Sequence, residues 1–208
     1  MSGEVSDIYK TLAADAEAVY KEKSSKFLAY AYPVESEEQI REILDALHKR
    51  YYDATHHCYA WRLGAQGELF RANDDGEPSG TAGKPILGQM LSTEITNCLI
   101  VVVRYFGGTK LGVSGLISAY KESARAAIEA GTIVERTVDR RIKIYFPYIA
   151  MNDVMRIIKE EQPAILGQEF DNLCSMVLSI RESRADMLVG KLQKAEGVTV
   201  ETGDANQN

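Results

Sequence analysis

The chain has 208 residues, 45% hydrophobic and 26% charged, a composition that suits a globular protein with one large core or two small ones. Its net charge of −6 is shared by both halves, with 15 basic against 19 acidic residues up to position 138 and 9 against 11 beyond it, which excludes a generic polycationic coat for nucleic acid and confines any RNA contact to a local patch. Three scattered cysteines, Cys58, Cys98 and Cys174, exclude a disulfide framework and indicate a reducing cytoplasm, and no run approaches the ~20 apolar residues of a membrane span.

Asp7, Asp15 and Glu17 interrupt the start of the chain, so no targeting segment is expected there. Residues 19–32 alternate and are rich in β-formers, which predicts a strand. Ser36 then caps a helix whose positive end is met by Glu37, Glu38 and Glu42, with Ile40, Ile43, Leu44 and Leu47 as its buried stripe. Residues 56–63 and 68–71 read as an antiparallel pair turned at 64–67, where Gly64 and Gly67 relieve the turn. Lys84 and Pro85 open a short helix through Leu91, and 97–103 is a continuous apolar run typical of a buried strand. Leu116, Ala119, Tyr120, Ala124, Ala127 and Ile128 recur at helical spacing up to Gly131, which is expected to take a left-handed cap. After a strand over 132–137 the pattern restarts: strand 142–146, helix 150–159, strands 165–170 and 176–181, helix 185–195 and strand 198–201. That βαββαβ order suits an antiparallel sheet with two helices on one face, and the small polar tail 203–208 is expected to fray.

Residues 101–120, Val-Val-Val-Arg-Tyr-Phe-Gly-Gly-Thr-Lys-Leu-Gly-Val-Ser-Gly-Leu-Ile-Ser-Ala-Tyr, carry an apolar strand through a glycine-rich turn into a helix. Gly107, Gly108, Gly112 and Gly115 permit positive φ and close approach, while the helix start presents free N–H groups and a positive dipole end, a layout that cradles an anion. The spacing nearly matches the nucleotide loop G-x-x-x-x-G-K-[ST], but after Gly107 and Gly112 the lysine slot holds Val113, followed by Ser114. Nucleotide hydrolysis is therefore not expected, although the amides can still bind one phosphate and Lys110 can partly substitute. Without a ligand, the same glycines would serve a tight turn and close helix packing.

A second loop precedes it, Asp74-Asp75-Gly76-Glu77-Pro78-Ser79-Gly80-Thr81-Ala82-Gly83-Lys84-Pro85, and the two suggest one site. Asp74, Asp75 and Glu77 have the oxygen ligands for Mg²⁺ or the paired carboxyls for acid–base work; Asp-Asp-Gly and Pro-Ser-Gly are equally good turn chemistry. His56, His57 and Cys58 do not make a zinc site, because neighbours on a strand point to opposite faces and His48 is the only other histidine. One histidine facing the glycine turn would donate to an anion there. Cys58 lacks an oriented base and reads as a packing residue. Lys23, Lys26, Arg62, Arg71, Lys84, Arg104 and Lys110 can supply a basic patch or lie scattered in solvent. Tyr59, Trp61, Tyr105 and Phe106 offer faces for unpaired bases or for the core, and Tyr105 and Phe106 abut Arg104.

Loop 74–85 followed by 101–120, with Ala54-Thr55-His56-His57-Cys58-Tyr59-Ala60-Trp61 and Ser24-Ser25-Lys26-Phe27 upstream, resembles the bacterial YigZ / eukaryotic Impact family over nearly the whole chain. The resemblance implies an N-terminal α+β domain similar to the second domain of a small-subunit ribosomal protein and to domain IV of elongation factor G, followed by a ferredoxin-like domain. From eukaryotic Impact it implies a role in regulating translation under amino-acid starvation. The implied N-terminal fold is also shared by small-molecule kinases that bind phosphate on a glycine-rich loop, so the site must decide between functions. Eukaryotic Impact competes for a kinase co-activator through an additional N-terminal domain; this chain starts directly in the shared region, so that role is not expected.

The expectation is a cytoplasmic two-domain α+β protein: a ribosomal-protein-like α+β sandwich over 1–138, a ferredoxin-like βαββαβ domain over 139–203 and a flexible tail over 204–208. It is expected to bind RNA or the ribosome and to act in translation, with Arg104, Lys110, Gly107, Gly108, Gly112, Lys84, His56, His57 and Tyr105 contacting the anion or RNA. Asp74 and Asp75 are the remaining candidates for a metal; no catalytic residue and no cofactor is assigned. Neither a membrane nor DNA is expected as partner, and the C-terminal domain is open to a protein partner. The alternatives are a phosphate- or nucleotide-dependent small-molecule enzyme, with Asp74 and Asp75 on Mg²⁺ and the glycine turn on phosphate, and a protein-interaction module.

Overall fold

Strands whose residues are apolar on both faces need cover on both sides. The structure, a computed structural model, describes residues 7–202, and its contacts divide into two units: Ile8–Arg136, and a second whose described residues are Asp7 and 137–202. The frayed tail expected over 203–208 lies outside the described residues.

The first unit runs β1 (Ile8–Leu12), β2 (Ala16–Glu22), β3 (Ser25–Pro33), α1 (Glu37–Arg50), β4 (His56–Leu63), β5 (Leu69–Asn73), α2 (Gly83–Ser92), β6 (Cys98–Tyr105), α3 (Gly112–Ala130) and β7 (Ile133–Thr137). Five strands form an antiparallel sheet in the order β2-β3-β6-β4-β5, and β1 pairs with β7 separately. α2 and α3 cover one face: Ile86, Met90, Leu116, Tyr120 and Ala124 pack on Phe27, Ala29, Cys58, Ile100 and Val102. α1 covers the other, setting Ile40 and Leu47 on Leu28, Tyr30, Trp61, Val101 and Val103. Ser36 caps α1 as its position predicts, its hydroxyl accepting from Gln39 N at 3.3 Å, with His48, Lys49 and Arg50 at the negative end.

Two local expectations are corrected. Residues 19–32 are not one strand: Lys23 and Ser24 take φ of 45° and 66°, the signs of a tight hairpin turn, and split the run into β2 and β3. Neither residue is the glycine or asparagine that advertises such a turn, so the alternation runs through it unmarked. Gly131 is not left-handed; its φ is −88°. Its lack of a side chain serves packing, since an added Cβ would stand 3.0 Å from Leu12 Cδ2 and 3.2 Å from Ala16 Cβ.

The second unit runs β8 (Asp139–Pro147), a 3₁₀ turn (Tyr148–Ala150), α4 (Met151–Glu161), β9 (Ala164–Glu169), β10 (Leu173–Arg181), α5 (Glu182–Gln193) and β11 (Thr199–Thr202). Its sheet is antiparallel in the order β11-β8-β10-β9. Strand alternation sends Ile142, Ile144, Phe146, Met176, Leu178 and Ile180 against Val154, Ile157, Leu188 and Leu192 of the two helices. The opposite face carries Lys143, which is exposed, and Tyr145, Ser175, Val177 and Ser179, which are half-buried. Asp7 belongs here: Arg181 donates to it from Nε at 2.8 Å and Nη2 at 2.7 Å, and Ser183 N donates at 3.0 Å, which holds its carboxyl well below the usual range. Among the described residues no helix is long and apolar enough to cross a membrane.

Candidate functional site

The strand-to-helix turn after β6 is wedged against the β2–β3 hairpin. Gly107 lies so close to it that an added Cβ would stand 2.0 Å from the Ser24 carbonyl carbon, and Gly107 N donates to Ser25 Oγ at 3.2 Å. Gly108 and Gly112 take φ of +85° and +74°, which favours glycine, and no atom crowds the space their missing side chains would fill. α3 then begins at Gly112, after Leu111 at its N-cap, with no side chain capping its amides and no acidic residue in its first turn. The hairpin that meets the glycine turn carries three further lysines besides Lys110 of the turn itself. Lys21 and Lys26 sit directly opposite each other across β2 and β3, Lys26 faces Tyr105 across β3 and β6, and Lys23 is in the turn. All four lysines are exposed and none has an ion-pair partner among the described residues. Like charges opposed across strands repel, so this corner is held at some cost in an otherwise acidic chain.

Beneath the turn lies a buried polar network. Arg104, only 5% exposed, donates from Nη1 to Glu77 Oε1 at 2.5 Å and from Nη2 to Ser25 Oγ at 3.4 Å. Its guanidinium lies between two rings, 5.5 Å from the centre of Phe27 and 5.6 Å from that of Phe106. Tyr120 donates to the same Glu77 oxygen at 2.8 Å. The Cys58 thiol is 3.2 Å from the Tyr120 hydroxyl and 3.0 Å from the Asp74 carbonyl, and burial pushes both Cys58 and Tyr120 far up, so the thiol stays protonated. Arg104 is therefore not a surface cation; it ties the end of β6 to loop 74–85 and supports Phe106.

Loop 74–85 is likewise committed to its own backbone. Asp74 Oδ1 accepts from Ala82 N at 3.0 Å and Gly83 N at 2.8 Å, and its Oδ2 from Gly80 N at 2.7 Å, so it closes the N-terminus of α2. Asp75 Oδ2 accepts from His57 N at 2.6 Å. Among the described residues no three His, Cys, Asp or Glu side chains converge as a metal site. Burial raises the Asp74 carboxyl, but the amides of Gly80, Gly83 and Ala82 together with Lys84 outweigh it and hold the group below its ordinary value. Asp74→Ala is expected to lower stability by about 1–2 kcal/mol. Because the folded-state value is the depressed one, that contribution is complete above about pH 4 and is lost as pH falls through the folded value. Urea midpoints of wild type and variant should therefore differ at neutral pH and converge in acid.

The residues singled out from sequence do not share one surface. His56 and Arg104 lie on the α2/α3 face. There the His56 Nδ1–H donates to the Asp75 carbonyl at 2.7 Å, and its Nε2 stands 3.8 Å from Glu77 Oε2. His57 and Tyr105 lie on the α1 face. His57 is buried with its ring 4.0 Å from that of His48, and burial, followed by His48, lowers its pKa; Tyr105 donates to Asp53 at 2.8 Å. Lys84 is exposed at the start of α2. Sequence reasoning missed Lys21, Ser25 and Tyr120. Lys21 is marked only by its register with Lys26, and Tyr120 looks like one more member of an apolar helical stripe.

These features define a two-unit α+β protein whose first unit carries an uncapped helix start after a glycine turn wedged against a lysine-bearing hairpin. Residues 23–128 match the Impact N-terminal domain, and the chain belongs to the Impact family. It is 33% identical over 181 residues to an IMPACT family member of Haemophilus influenzae, covering 84% of this chain and 86% of that one. It is also 35% identical over 140 residues to the IMPACT family member YvyE of Bacillus subtilis, covering 67% of this chain and 64% of that relative, just under two thirds of its length. The crystal structure of a hypothetical protein superposes with a TM-score of 0.72 at 24% identity, covering 97% of this chain and all of that one, a likeness of fold.

Proposed function

We propose that this protein binds RNA, on or off the ribosome, through the lysine corner of its first unit, and that it acts in the regulation of translation. The observation that carries the reading is the corner itself: Lys23 in the hairpin turn and Lys110 just before the uncapped start of a 19-residue helix, with Lys21 and Lys26 on the α1 face of the same hairpin, stand without carboxylate partners among the described residues. Backbone amides and unpaired ammonium groups are what a phosphate chain requires. Gly107, Gly108 and Gly112 shape that corner, and the proposal adds Lys84 at the start of α2 and His56, which pairs with Arg104 across β4 and β6. Family membership supports the translation part, since eukaryotic Impact is understood as a regulator of translation under amino-acid starvation. The proposal includes an Impact domain through residue 138, similar to domain IV of elongation factor G, and a ferredoxin-like domain after it. The second part is supported by the βαββαβ order and the sheet sequence β11-β8-β10-β9. The Mg²⁺-dependent enzyme is disfavoured because both Asp74 oxygens and one Asp75 oxygen already accept backbone amides.

Sedimentation with ribosomal subunits and with free structured RNA, at low and moderate salt, tests the proposal. Wild type should co-sediment in a salt-sensitive way, and each lysine removed in Lys23→Ala, Lys26→Ala and Lys110→Ala should reduce the slope of log affinity against log salt by about one. Absence of association with both, or association indifferent to salt and to the lysines, overturns it. A protein partner for the second unit is a further reading, favoured by Tyr148, Ile149 and Leu173, which are 71%, 90% and 57% exposed where β8 ends and β10 begins.

A further inference from the structure

We infer that the lysine corner selects single-stranded RNA, with unpaired bases stacked on Phe106 and Tyr52; this rests on the phosphate-binding reading of that corner. Segment 51–55, between α1 and β4, is fastened along the end of β6. Thr55 N donates to the Arg104 carbonyl at 2.9 Å, Phe106 N to Thr55 Oγ1 at 3.3 Å, and the Tyr105 hydroxyl to Asp53 Oδ1 at 2.8 Å. Tyr52 is thereby held on the strip that borders Phe106. It is 85% exposed, and among the described residues its ring stacks on no other and its hydroxyl has no partner.

Phe106 is 48% exposed and oriented from below, because Arg104 lies against its ring and is itself fixed by Glu77 and Ser25. The Phe106 ring is thus supported on one side and available on the rest. Lys26 and Lys21 follow from Tyr105, the neighbour of Phe106, in one row across three strands. An A-form duplex hides its base faces and offers mainly phosphates and hydroxyls, whereas a single strand offers phosphates and base faces together. The corner holds partners for both.

Fluorescence anisotropy of the full chain with a labelled mixed-sequence RNA of about ten nucleotides, free or annealed to its complement, separates the possibilities. The single strand is expected to bind about tenfold or more tightly than the duplex. Tyr52→Ala and Phe106→Leu should each weaken the single strand about tenfold, leaving its salt slope and the duplex affinity unchanged. Lys23→Ala with Lys110→Ala should lower the salt slope for both RNAs. Equal affinity for the two RNAs, or aromatic variants that bind like wild type while the lysine variant weakens, overturns the stacking and leaves the phosphate reading standing. No salt-dependent binding of either RNA overturns both. Tyr52, almost fully exposed, keeps the test clear if Phe106→Leu disturbs its support.

Discussion

Glu77→Ala is expected to lower the unfolding free energy by about 3–5 kcal/mol, more than any other single side-chain truncation around the glycine turn. Glu77 and Arg104 are both nearly sealed from water, and the Glu77 oxygen that takes Arg104 also takes the Tyr120 hydroxyl. Truncating the carboxylate leaves a guanidinium buried against Phe27 and Phe106 and a buried phenol without its acceptor. Arg104→Met should also be severe, since it strands the carboxylate instead. The paired substitution Glu77→Leu with Arg104→Met should be less destabilising than the sum of the singles, because neither charge is then buried alone. Urea unfolding of the four proteins gives the coupling directly; a Glu77→Ala loss under about 1 kcal/mol would mean that water reaches Arg104.

Gly107→Ala is expected to destabilise the first unit by about 3 kcal/mol or more and to loosen the lysine corner with it. The added Cβ would fall 2.0 Å and 2.2 Å from the Ser24 carbonyl carbon and oxygen and 2.4 Å from Ser25 N, all backbone atoms that cannot rotate aside. Either the β2–β3 hairpin or the glycine turn must move, and Lys23 moves with the hairpin. Gly88→Ala is the matched control, inside α2 with nothing within 4 Å of the new methyl, and should stabilise by about 0.5–1 kcal/mol through helix propensity alone. Thermal melts of the two variants should shift in opposite directions. If Gly107→Ala melts like wild type, the two turns are not wedged together, and its RNA binding should then be intact.

Loop 74–85 shows how a motif can be noticed while the duty of each of its residues stays open. Carboxylates at 74, 75 and 77 invite a metal, yet each has a separate duty: Asp74 caps α2, Asp75 pins the backbone at His57, and Glu77 neutralises Arg104. Adjacency in sequence says nothing about which donors a carboxylate will meet. Arg104 shows the same from the basic side. As the last polar residue of an apolar strand it reads as a surface cation at a loop, whereas strand alternation turns it inward beside Val102 and Ile100, where only a buried acid from a distant loop can satisfy it.

Periodicity and end signals determined much by themselves. The Ser36 cap, the apolar stripes of α1 and α3, the β4–β5 pair, the buried β6 strand and the second unit's βαββαβ order are all local, set by residues within one or two turns or strands of each other. Tertiary structure alone decided what depends on partners far apart in the chain. It split residues 19–32 at Lys23 and Ser24, set Lys21 opposite Lys26 and brought that hairpin 80 or so positions along the chain against Gly107. It also sealed Arg104 with Glu77 and left Phe106 and Tyr52 facing water at one strand end. Local pattern fixes which way a side chain leaves the backbone, but the charge, hydrogen-bond donor or open solvent that it then meets is supplied by register and packing across the sheet.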